Sequence, residues 1–253
     1  MRSSRSEKTP VTKIKADLHT HTTFSHGKNS IEEMVNRARQ LGLEAIVISD
    51  HGRSHPLYGV KPENFRVMRE EIDRLNQKYS DIQIYLSVES NITGKDGTID
   101  IGEEEKQYCD WIYAGYHWVY IPHRFSDFFT FKLRNYLTKV LPFLKEGSRR
   151  ANTQTYLKMM DRYDLKMITH PGDKCPIDVE AVAKKAAEKH VILEINPRHH
   201  HLNAEELKRA AQYGGTFAIN SDAHSIDRVA DVAQGIAWAE ASGIPREQII
   251  NLA

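Results

Sequence analysis

Seven short apolar runs punctuate the 253 residues, and all but the third give way to a longer segment whose apolar residues recur at helical spacing. This alternation limits the fold more than any other feature of the chain. The strand-like runs fall at about residues 13–20, 43–49, 82–88, 111–116, 165–169, 191–195 and 216–219. Between them, Ser30 and Glu33 have the spacing of a capping box, and Ile31, Met34, Val35, Ala38 and Leu41 follow on one stripe up to Gly42. Residues 62–79 repeat the pattern with Phe65, Met68, Ile72 and Leu75, and further helices are expected at 152–161, 178–189, after the cap at Asn203, and at about 227–241. Residues 91–107, with Asp96-Gly97 between Ile92 and Ile99, predict a small hairpin excursion. A βα series of this kind predicts parallel strands joined by right-handed crossovers, hence an α/β barrel or a doubly wound sheet.

Length allows one sizeable domain at 13–253, and residues 1–12, lacking an apolar stretch, read as a mobile arm rather than a signal peptide. No apolar run reaches the roughly 18 residues of a transmembrane helix, so the expectation is a cytoplasmic protein without a membrane partner. A net charge of +1 gives no global attraction for nucleic acid, although a neutral average can hide a local basic cleft. Cys109 and Cys175 form neither a disulfide framework nor a Cys-x-x-Cys zinc pattern. Thirteen histidines are many for this length, and their positions carry the chemistry.

His19 and His21 stand two apart on the first strand, so both imidazoles point to one face. His51, Glu89, His117, His170, and Asp222 with His224 lie at or just beyond the ends of five further strands. In a parallel barrel these ends share one face, where active sites are built. A histidine satisfied in the core explains any one of these positions, but not six strands that each end in His, Glu or Asp. Such a cluster without metal would hold many unpaired polar groups, at a cost of about several kcal/mol each.

His19-x-His21 with His26, Ser49-Asp50-His51, Glu89, Gly115-Tyr116-His117, His170-Pro171 and Asp222-x-His224, in this order, resemble the motifs of the polymerase-and-histidinol-phosphatase (PHP) superfamily. The likeness is to its trinuclear-metal phosphoesterase branch and runs from Asp17 to about the end of the chain. It implies a distorted (βα)7 barrel and three divalent ions, zinc first, with manganese or iron also compatible with imidazole and carboxylate ligands. It implies one ion on His19, His21, Glu89 and Asp222, a second on Glu89, His117 and His170, and a third on His26, His51 and His224. His19, His21, Glu89 and Asp222 then form the catalytic core, where a metal-bridged hydroxide would attack phosphorus in line with the leaving oxygen. Asp17 and Asp50 are candidates to orient imidazoles or to cap turns.

Arg53 and Arg198 follow the second and sixth strands and are the candidate phosphate-binding residues, with Lys174, His123 and Arg124 as weaker ones. His199, His200 and His201 either extend the site or are bystanders on an exposed loop, the commoner case for such histidines. An aromatic and basic insertion at about 118–150 joins the fourth and fifth units. It is expected to form one or two helices over 125–144, punctuated by Pro142 and Gly147, and to hang over the site as a lid, or else to be a peripheral hairpin or dimer contact. The expected function is a phosphatase or phosphodiesterase for a small phosphorylated metabolite. The alternatives are a nuclease acting on DNA or RNA ends and a catalytically silent metal-bearing scaffold. Ala253 follows soon after the last expected helix, so a module of a longer polypeptide is also an expectation.

Overall fold

The computed structural model describes residues 13–199 and 202–253, so the arm expected at 1–12 and residues His200 and His201 lie outside the described residues. Seven strands, β1 (Ala16–Thr20), β2 (Ala45–Ile48), β3 (Gln83–Asn91), β4 (Trp111–Gly115), β5 (Met167–Ile168), β6 (Ile192–Ile195) and β7 (Phe217–Ile219), pair in sequence order in one parallel sheet. The sheet curls into a nearly closed barrel. Near the top, a parallel bridge between Thr20 and Ala223 joins the end of β1 to the residues after β7. Lower down, the C-terminal segment fills the seam: Lys15 N donates to Asn251 O (2.9 Å) and Ile250 N to Phe217 O (3.0 Å). The Asn251 side chain spans the same gap, its amide donating to Ala16 O (2.9 Å) and Ile219 O (2.7 Å) and its oxygen accepting from Ile219 N (3.0 Å).

Side chains alternate across each strand. Ile46, Ile48, Ile84, Leu86, Ile112, Leu193 and Ile195 belong to the large apolar cluster shared with the surrounding helices. Ala16, Leu18, Val47, Tyr113, Met167, Ile192 and Ala218 form a second, inner cluster that plugs the barrel, with Tyr85 and Trp111 stacked against it at 4.4 Å between ring centroids. The barrel floor is therefore solid, and the polar site sits on top of it.

Helix α1 (Ile31–Gln40) starts at the expected capping box, Ser30 Oγ accepting from Glu33 N and Glu33 Oε2 from Ser30 N, and buries Ile31, Met34, Val35 and Ala38. α2 (Pro62–Lys78) buries the stripe Phe65, Met68, Ile72 and Leu75. A short α3 (Glu103–Lys106) follows the excursion after β3, whose Ile92–Ile99 bridge is antiparallel.

Two helical segments depart from the sequence pattern. The insertion breaks into α4 (Phe125–Asp127), a π-helical stretch (Phe128–Leu133), α5 (Arg134–Leu137) and a 3-10 turn (Pro142–Leu144). α6 (Lys145–Arg162) then runs straight through Gly147, which therefore does not punctuate a helix; residues 145–162 form one helix instead of the shorter 152–161. α7 (Val179–Lys189) and α8 (Ala204–Ala211, capped by Asn203) follow as expected. The final helix does not begin at Asp227: a 3-10 turn (Ile226–Arg228) and a left-handed Ala230 (φ 60°) precede α9 (Ala233–Ser242). Ala230 N donates to the buried Asp17 Oδ2 (2.9 Å), which pins the backbone out of helical geometry.

Candidate metal centre

The inward-facing positions that fill the floor continue upward at a spacing of two into the site. On β2 and beyond, Val47 leads through Ser49 to His51; on β3, Tyr85 leads through Ser87 to Glu89; after β4, Tyr113 leads through Gly115 to His117. On β7, Ala218 leads through Asn220 to Asp222. Glu89 thus lies inside β3, two residues before its end. β1 breaks the rule, since Ala16 and Leu18 face the floor while His19 and His21 face the site above. The pairing of β1 with β2 shifts between Asp17 and Thr20, where β1 carries one extra residue, and that bulge changes the parity. His170 and Asp222 enter the pit from left-handed backbone (φ 31° and 51°) just past their strands.

Glu89 is the centre of the cluster. Its Oε2 lies 3.5 Å from His19 Nε2, 3.6 Å from His21 Nε2 and 3.1 Å from His51 Nδ1. Its Oε1 faces His117 Nε2 (3.4 Å) and His170 Nε2 (3.0 Å). Asp222 Oδ1 is 3.2 Å from His21 Nε2 and 3.7 Å from His19 Nε2. His26 stands at the exposed rim, its ring 4.8 Å from that of His51 and 4.1 Å from that of His224. Three sets have ligand atoms within 4.8 Å of one another: His19, His21 and Asp222; His51, Glu89 and His117; and His21, His51 and His224. Seven of the nine residues named from the sequence fall in these sets, with His21 and His51 each shared between two; His170 joins through Glu89, and His26 stands beside His51 and His224 without belonging to a set.

The electrostatics are those of a cation site. Burial opposes ionisation of Glu89, but His117 and His19 beside it outweigh that and hold its carboxyl well below the usual range. Asp222 behaves likewise against burial, through His19, His199 and His21. Burial pushes the His170 imidazole down to about 4 despite Glu89, and burial together with His51 and His224 pushes His26 down to about 3. These rings are neutral at pH 7, with lone pairs available. His19 goes the other way: burial opposes its charge, yet Glu194, Glu89 and Asp222 raise it well above the ordinary value. A field that holds a proton on a buried imidazole also favours a divalent cation in the same place.

The donor set fits such ions. His19 Nε2 and His21 Nε2 face each other at 3.1 Å, a spacing satisfied by a hydrogen bond between the rings or by a cation that both bind. The buried Nδ1 atoms of His21, His51 and His170 find no hydrogen-bond partner among the described residues, although His51 Nδ1 sits near Glu89 without the alignment of a hydrogen bond. Imidazole nitrogen with carboxylate oxygen suits zinc, manganese and iron.

Arg198 lies at the rim, its Nη1 donating to Asp222 O (2.5 Å) and lying 3.0 Å from His224 Nδ1. Arg53 is turned to Glu105 (3.1 Å). Lys174 pairs with Asp173, exposed Arg124 pairs with Asp96, and His123 is exposed. Asp17 and Asp50 hold turns rather than imidazoles. Asp17 accepts from Ser221 N and Oγ and from Ala230 N, and Asp50 from Thr22 N and Oγ1 and from Ser25 Oγ.

Two participants, Glu194 and Asn91, escaped the sequence reading. Glu194, buried on β6, accepts from His19 Nδ1 (2.7 Å). Its signal is a charged residue inside the apolar run 191–195. Asn91 Oδ1 accepts from His117 Nδ1 (2.8 Å). His199, weighed as an extension of the site against a loop bystander, spans Asp173 (2.9 Å) and Asp222 (3.2 Å), and its ring lies tilted against that of His170 at 4.6 Å.

A parallel α/β barrel whose C-terminal rim gathers imidazoles and carboxylates around one pit defines a metal-dependent hydrolase of the TIM-like barrel class. The profile of the PHP domain matches residues 17–169, and the chain belongs to the PHP domain family. Among its relatives, the DNA polymerase/3'-5' exonuclease PolX of Bacillus subtilis (strain 168) is 28% identical over 248 residues. That match covers 94% of this chain but 39% of PolX, so the chain corresponds to well under half of that protein. The probable phosphatase YcdX of Shigella flexneri serotype 5b (strain 8401) is 28% identical over 252 residues, covering 93% of this chain and 89% of that protein. A crystal structure of histidinol phosphate phosphatase (HISK) from Lactococcus lactis, complexed with zinc, L-histidinol and phosphate, superposes with a TM-score of 0.59 at 17% identity. It covers 91% of this chain and 94% of that chain, and it shares the fold.

Proposed function

We propose that this chain hydrolyses the phosphate ester of a small metabolite at the pit around Glu89. The observation that carries the reading is the division of five imidazoles between the two oxygens of one buried carboxylate, beside a second carboxylate at Asp222. Three divalent ions are proposed, zinc first, held by His19, His21, Glu89 and Asp222; by Glu89, His117 and His170; and by His26, His51 and His224. When bound, such ions neutralise the charge of a phosphoryl group and bring the pKa of water towards about 7. His19, His21, Glu89 and Asp222 fix the catalytic end of the pit, and the floor of Leu18, Tyr113 and Met167 beneath them keeps water from entering from below. Arg198, beside Asp222 and His224, is proposed to bind phosphate oxygens by exchanging its bond to Asp222 O for them, and Arg53 to contribute only after releasing Glu105. Overall, water oxygen joins phosphorus, the P–O ester bond breaks, and the alcohol leaves with a proton.

A nuclease acting on DNA or RNA ends uses the same chemistry, and the PolX relative favours considering it. The test is a substrate panel. The proposal expects release of phosphate from small phosphomonoesters, with catalysis reduced at least tenfold in Arg198→Ala. Release of mononucleotides from single-stranded DNA, with salt-sensitive binding and no action on small esters, would replace it with the nuclease reading.

A further inference from the structure

We propose that Glu194 is the positioning residue of this centre, setting two metal-binding imidazoles from behind, His19 through its ring and His170 through its backbone. The inference rests on the metal-dependent reading above and deepens it.

Glu194 sits in the middle of β6 with no exposed surface, between Leu193 and Ile195. An ionised carboxylate there costs several kcal/mol unless surrounded by donors. The structure supplies them from three other places in the barrel. Oε1 accepts from His19 Nδ1 on β1 (2.7 Å) and from Asn220 Nδ2 beyond β7 (3.0 Å). Oε2 accepts from His170 N beyond β5 (2.8 Å) and from Asn196 Nδ2 (3.2 Å).

Two consequences follow for the pit. A carboxylate at His19 Nδ1 fixes the proton on that nitrogen and leaves Nε2, the atom facing Glu89 and Asp222, as the lone-pair donor; it also makes that donor more basic. The bond to His170 N holds a backbone with φ 31°, a conformation that costs about 1–3 kcal/mol in a residue with a side chain and that turns the ring towards Glu89 Oε1. One side chain therefore controls a ligand on each side of Glu89. Glutamine keeps the shape and one acceptor oxygen but carries no charge and sets its NH2 against the donors at the other end, so a purely structural role shows as a lowered Tm with zinc affinity kept, and positioning shows as a loss of zinc affinity.

The test uses the full chain stripped of metal and titrated with zinc against a chromophoric chelator. Glu194→Gln is expected to weaken zinc affinity about 10- to 100-fold while the Tm of the stripped protein stays within a few degrees of wild type. In zinc-loaded wild-type protein carrying 15N-histidine, the His19 ring, assigned by its loss in His19→Ala, is expected to show a protonated Nδ1 and an unprotonated Nε2. Equal zinc affinity in Glu194→Gln, or a His19 protonated at Nε2, would overturn the proposal, and the second measurement decides it even where the variant does not fold. Wild-type protein that takes up no zinc would overturn the metal-centre reading and this inference together. Normal zinc uptake and hydrolysis with an unaffected Glu194→Gln would overturn this inference alone.

Discussion

Glu89 stands where five imidazoles meet, and its two oxygens divide them into a set with His19, His21 and His51 and a set with His117 and His170. The space this needs is provided by Gly115. A Cβ there would collide with the Thr169 hydroxyl and lie 3.0 Å from His170 Cε1 and 3.3 Å from Glu89 Oε1. Gly115→Ala should therefore leave a folded protein whose kcat falls at least tenfold, checked by kinetics beside a thermal melt; full activity would mean that the pit is looser than its distances indicate. At this scale the sequence was readable where residue type and spacing both spoke, as in His19-x-His21 and Asp222-x-His224. It was not readable for Asn91, because ordinary loop polarity hides a side chain whose partner is 26 residues away, and it left two readings open for His199, whose partner Asp222 is 23 residues away.

Elements were legible where amphipathic periodicity met a capping residue, as in α1 and α8, and illegible where a distant side chain set the backbone. The bulge in β1 is set by pairing with β2, and the break before α9 by Asp17, more than 200 residues upstream. The insertion shows both cases. Its aromatic composition marked it, but not which aromatic is core: Phe131 is fully buried and packs edge-on against Tyr116 at 5.3 Å, while Phe125 is 82% exposed. Ile121 N donates to Ser54 O and His123 N to Thr93 O, which fastens the start of the insertion to the loops after β2 and β3, beside the pit. Phe131→Ala should cost about 3–5 kcal/mol in chemical denaturation, whereas Phe125→Ser should change stability by less than about 0.5 kcal/mol. Similar effects for the two would contradict this division.

Over the whole molecule, seven βα units left a barrel and a doubly wound sheet both open, and what separates them is closure between the first and last strands. Asn251 closes the lower seam with three hydrogen bonds to buried backbone groups of β1 and β7. Nothing about an asparagine in a C-terminal tail signals this from sequence, since its partners are 32 and 235 residues away. Asn251→Ala leaves those groups unpaired and should destabilise the fold by about 1–3 kcal/mol, seen as a lowered denaturation midpoint with an unchanged slope.

The barrel exists, in this account, to hold cations against Glu89 so that a phosphate ester is hydrolysed. The most direct measurement is the hydrolysis of an aryl phosphate by wild type and Glu89→Gln, each stripped with a chelator and then reloaded with zinc or manganese. Activity abolished by stripping, restored by reloading in wild type and absent throughout in Glu89→Gln is the expected result. Hydrolysis that persists in the stripped protein, or that is undiminished in Glu89→Gln, would contradict the account.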